Sequence, residues 1–132
     1  MASTPLVDED IKRGRNAVRA LSRAGVNPRA AFWRFTPESA DWRLVLALPT
    51  LRQEGPLRVY EQLQRILKRQ HVELPVWRIT LLGTDDPLAR WARQRVQGMA
   101  NDVRSTGNLV DDALIEDAYI YGPGTNKRSL AR

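Results

Sequence analysis

The sequence predicts an α+β fold: a single mixed β-sheet of four or five strands with three helices, in the order α-β-β-α-β-α-β-β. Three observations predict it. Apolar residues recur at helical spacing in three segments, and strand-like runs rich in apolar and aromatic residues lie between them. Gly, Pro and Asp clusters punctuate the joins. At 132 residues the chain fits one domain, since domains most often run about 100–150 residues. Residues 1–121 are expected to form it, with 122–132 as a flexible basic C-terminal tail.

Asp8-Glu9-Asp10 opens the first helix, because carboxylates cap free N–H groups and suit the positive end of the helix dipole. Gly25 stops it, before the loop at Asn27-Pro28. Ile11, Val18, Leu21 and Ala24 fall on its core side. Ala31 to Phe35 is a short aromatic strand, Thr36 to Asp41 a turn, and Trp42 to Leu48 a second strand. There Trp42, Leu44, Leu46 and Leu48 share one face, with Arg43, Val45 and Ala47 on the other. The short link predicts an antiparallel hairpin. Pro56 suits the first turn of a second helix running to about Gln70, with Val59, Leu63, Ile66 and Leu67 inward.

Val76 to Leu82 is apolar on both faces, which predicts a central strand. Asp85 or Asp86 caps a third helix beginning at Pro87 and ending near Gly98, with Leu88, Trp91, Ala92, Val96 and Met99 inward. Asn108 to Val110, a turn at Asp111-Asp112 and a longer strand from Ala113 to Tyr121 complete the order. Leu21, Leu44, Leu46, Leu63, Ile79 and Leu81 are the expected core.

Composition narrows the chemistry. The chain has no cysteine, which excludes disulfides, thiol catalysis and cysteine zinc sites. A lone histidine, His71, leaves a histidine metal site without partners. The N-terminus lacks an apolar signal-peptide core and no apolar run is long enough to span a bilayer, so a cytoplasmic protein is expected. Net charge is +6, and with Lys12, Lys68 and Lys127 the only lysines, 21 − 3 = 18 of the basic residues are arginine. That bias fits a GC-rich bacterial genome, and arginine also suits bidentate phosphate contacts. The charge is segregated: residues 1–35 carry net +4 and residues 99–121 net −4.

The candidate binding residues are two basic stripes and the tail. Lys12, Arg15, Arg19 and Arg23 share an arc of roughly 80° on the first helix. Arg58, Arg65 and Arg69 line up on the second, and Lys127-Arg128 lies in the tail. Arg34, Arg43 and Arg78 occupy predicted strands and would form a sheet patch if they shared a face. The four tryptophans, Trp33, Trp42, Trp77 and Trp91, lie beside or near arginines but read mainly as core. Arg95 intrudes on the inward side of the third helix, where it snorkels outward or pairs with a carboxylate of the acidic C-terminal hairpin.

These features point to a non-enzymatic binding or accessory module that engages an anionic partner, either nucleic acid or a nucleic-acid-associated protein. No catalytic residue, metal ligand or cofactor is assigned, and no membrane partner is expected. One alternative is a protein–protein assembly subunit, a homo-oligomer or part of a larger complex, in which the acidic hairpin meets the basic first helix between subunits. Another is a small metal-dependent nuclease using Asp85 or Asp86.

Overall fold

The computed structural model describes residues 5–123 and Thr125. The chain runs α1 (Asp8–Arg23), β1 (Ala30–Thr36), β2 (Asp41–Ala47), α2 (Leu51–Glu54), α3 (Pro56–Arg69), β3 (Ile79–Leu82), α4 (Pro87–Val96), β4 (Val103–Val110) and β5 (Ala113–Ile120). The five strands make one mixed sheet in the order β3-β2-β1-β5-β4. Only β2 and β3 run parallel, joined through α2 and α3; the other neighbours are antiparallel.

Strand alternation divides the core into two layers. Ala31, Trp33 and Phe35 of β1, with Trp42, Leu44 and Leu46 of β2, pack beneath α1 and α3. Ala30 and Phe32, with Val45, Ala47 and Ile120, meet α4 on the other face. The ring of Phe32 stands edge-on to Trp91 of α4 at 5.9 Å. Leu63 sits in the first layer with no exposed surface. Replacing Leu63 with alanine should therefore cost about 2–5 kcal/mol in chemical denaturation, and a loss below about 0.5 kcal/mol would contradict this packing.

The third strand departs from expectation: β3 lies at the sheet edge, not at its centre. Its segment is apolar on both faces because Ile79 and Leu81 meet the α1–α3 layer while Leu82 meets the α4 layer. Layers on both faces do not require neighbours on both edges. Val76–Arg78 coils into a 3-10 turn before β3 begins. The order of elements gains one member, α2, a four-residue helix too short to show a period and ended by Gly55 at φ 82°.

Smaller differences have local causes. Ala24 is exposed because α1 has ended, and Leu81 is only half-buried beside the open edge. Met99 lies beyond the end of α4 and is exposed. β4 begins at Val103, since Gly107 at φ 65° interrupts the strand without terminating it. The turn at Asp111-Asp112 holds, with both residues left-handed, as a two-residue hairpin turn of this twist requires.

Candidate functional site

Helix α1 approaches the sheet through Gly14. A Cβ there would lie 2.3 Å from the Tyr121 hydroxyl oxygen and 2.6 Å from Trp33 Nε1. Those two side chains occupy the gap that the missing Cβ leaves. Trp33 Nε1–H donates to the Tyr121 oxygen at 2.8 Å, and the Tyr121 hydroxyl donates to the Ile11 carbonyl at 2.6 Å. Burial pushes the Tyr121 pKa far above the ordinary tyrosine value, against the partial opposition of the Trp33 hydrogen bond.

One turn of helix away from Ile11, Arg15 bends onto the sheet. Its guanidinium donates to Asp102 at 2.7 Å and to the Thr125 hydroxyl at 3.3 Å, and lies 5.3 Å from the Tyr121 ring centre. Asp102 also accepts from the Tyr119 hydroxyl at 2.7 Å and from Gly122 N–H at 2.6 Å. Burial disfavours the Asp102 carboxylate, but the bonds from Gly122, Tyr119 and Arg15 outweigh it and hold its pKa below the usual value. Burial likewise opposes the Arg15 cation, and Asp102 more than restores it. Arg15 is thus tied into the fold. Sequence reasoning misses Asp102, because nothing local announces a contact across 87 positions. The available signal was Gly14, an isolated glycine inside a helix.

The rest of the α1 stripe stays outside. Lys12, Arg19 and Arg23 are exposed, as are Arg58, Arg65 and Arg69 on α3. None of these six enters an ion pair among the described residues. Gln70 joins the two helices: its amide donates to the Ala20 carbonyl at 2.9 Å and accepts from Arg23 Nε at 3.0 Å. The basic last turns of α1 and α3 therefore meet, Arg23 on one side and Lys68-Arg69 on the other. Exposed His71 follows Gln70 directly. Lys127 and Arg128 lie outside the described residues.

The sheet arginines do not form one patch. Arg34 and Arg43 are cross-strand partners on the α4 face. Arg78 turns to the opposite face, where it pairs with Asp10 at 3.0 Å, donates to the Trp42 carbonyl at 3.1 Å and lies over Trp33. The 3-10 turn breaks the alternation that would have aligned it. Trp33 and Trp42 are core, Trp91 is half-buried, and Trp77 is 64% exposed. Arg95 is exposed and donates to the Asn108 amide oxygen of β4, an acidic-hairpin contact made to an amide rather than a carboxylate.

Asp86 accepts from Leu88 N–H at 2.9 Å and so caps α4, while neighbouring Asp85 is exposed. Among the described residues no group of three or more His, Asp and Glu side chains gathers where a metal ion would sit. None of their helices is long and apolar enough to cross a membrane. No family model, no curated protein and no solved structure matches the chain.

Proposed function

We propose that this chain is a binding module whose outer helix face, centred on the meeting point of α1 and α3, engages nucleic acid through its phosphates. The observation that carries this reading is the set of seven exposed cations, those six and Lys68, that enter no ion pair among the described residues and lie on two helices that Gln70 holds together. A helix C-terminus attracts cations on its own account, and that explains Arg23 and Arg69. It does not explain Lys12, Arg19, Arg58 and Arg65, which stand a turn or more upstream, beyond the reach of the dipole end.

Four to six phosphate contacts imply a log–log salt slope of about −4 to −5 on duplex DNA. Changing Arg19 and Arg23 to glutamine should flatten it by about two units and weaken binding to all sequences alike, since phosphate contacts position without specifying. Arg15→Gln should behave differently, lowering stability through the loss of its Asp102 bond. Fluorescence titration with DNA and RNA across a salt series measures the slope, and thermal melts measure the stability of Arg15→Gln. Absence of binding to either at about 50 mM salt, where the screening length is about 14 Å, would overturn the reading.

A further inference from the structure

The β4–β5 hairpin ends in an exposed apolar pair beside free carboxylates. β1 pairs with β5 only from Ala118 to Ile120, so residues 106–117 have no strand partner except each other. Leu109 and Leu114 are cross-strand neighbours near the tip, 71% and 55% exposed. Asp111 and Asp112 form the turn and Glu116 follows; all three are exposed, and none enters an ion pair among the described residues. Apolar surface of this kind, bordered on its turn side by acids, marks a contact site.

A complementary surface lies toward the far edge of the sheet. After α3 the chain passes back beside α1 and leaves a groove of about 570 Å³. Leu67, Val72 and Leu74 supply apolar lining; Lys68, which enters no ion pair among the described residues, faces the one acid, Glu73, and Arg13 on the rim is held by Glu9 and Asp10. Lys12 lines the adjoining depression together with Glu9 and Glu73. Val76, also on the groove, leads into the β3 edge, whereas the hairpin forms the opposite edge. The tip therefore cannot reach the groove of its own chain.

We propose that the Leu109–Leu114 tip docks into this groove on a second copy of the chain, so that each copy gives one tip and receives one. Such reciprocal exchange closes under two-fold symmetry. Burial of the two leucines supplies the attraction, and the aspartates against Lys68 and Lys12 select the partner and its orientation. Pairing of β4 edge to edge is the competing geometry. Left-handed Gly107 disrupts that edge midway, a device that discourages strand addition.

The absence of cysteine makes a direct test possible. Leu114→Cys and Val72→Cys proteins, purified separately and mixed under mild oxidation, should form a mixed disulfide dimer faster than either forms alone. The yield should fall between about 0.1 M and 1 M salt, as the screening length drops from about 10 to 3 Å. In sedimentation the 15.0 kDa chain should shift from monomer toward dimer as concentration rises at low salt. The Leu109→Ser/Leu114→Ser variant should stay monomeric with an unchanged circular dichroism spectrum. A wild-type chain that stays monomeric to its solubility limit overturns the proposal, and so does Leu114→Cys that links to itself as fast as to Val72→Cys. Nucleic-acid binding by the serine variant is measured separately, so the two proposals stand or fall apart.

Discussion

Gly14→Ala should destabilise the protein by at least about 3 kcal/mol, although alanine is the better helix former by about 1 kcal/mol. The new Cβ would lie 2.3 Å from the Tyr121 oxygen and 2.6 Å from Trp33 Nε1, so helix or side chains must move. Overpacking alone typically costs about 1–3 kcal/mol. Displacing Tyr121 also breaks the bonds to Trp33 and the Ile11 carbonyl, leaving buried polar groups unsatisfied at about 1–3 kcal/mol each. Asn16→Ala, on the exposed side of the same helix, is the control and should gain a few tenths of a kcal/mol. Thermal melts of the two variants should move in opposite directions. A Gly14→Ala melt at or above the wild-type temperature would mean that α1 is not seated at this depth.

Asp102→Ala is expected to be damaging as well. It strips the acceptor from Arg15, the Tyr119 hydroxyl and the Gly122 N–H together. A hydrogen bond to a charged group contributes about 1.5–3 kcal/mol, but the Arg15 side chain remains 29% exposed and water recovers part of its loss. A net cost of about 2–4 kcal/mol follows. Acid should shrink that difference. The folded Asp102 pKa lies below its unfolded value of 3.8, so its stabilisation is complete above that value and is lost as pH falls through the folded pKa. Denaturation curves of wild type and variant should begin to converge below about pH 4 and meet only below the folded Asp102 pKa. A constant gap down to the acid limit would assign the cost to packing and not to the carboxylate.

The two periodicities made most of the fold legible. Leu44 and Leu46 opposite Val45 and Ala47 identified both faces of β2, and Val59, Leu63, Ile66 and Leu67 identified the buried stripe of α3. Neither pattern carries edge information, which is why Ile79–Leu82 reads as central and lies at the rim. The α1 stripe was legible as an arc and not as a destination. Arg15 stands at the end of the roughly 80° arc nearest the Ile11–Val18 side, so it reaches Asp102 while Lys12, Arg19 and Arg23 face outward. Arg78 was lost to the 3-10 turn, which changes side-chain direction within three residues.

The position of β1 has a consequence for how the chain is made. Its neighbours are β2, a few residues later, and β5, near the end of the described chain; Trp33 and its partner Tyr121 are 88 positions apart. During synthesis the β1–β2 hairpin can form early, yet one edge of β1 waits until β5 has been made. Contacts so distant in sequence slow folding, and an unpaired strand edge invites association while it waits. A ribosome stalled before Ala118 would leave Phe32, Trp33 and Arg34 as that open edge. The sheet is completed only when β5 arrives, and until then the risk of misassociation is concentrated on one side of β1.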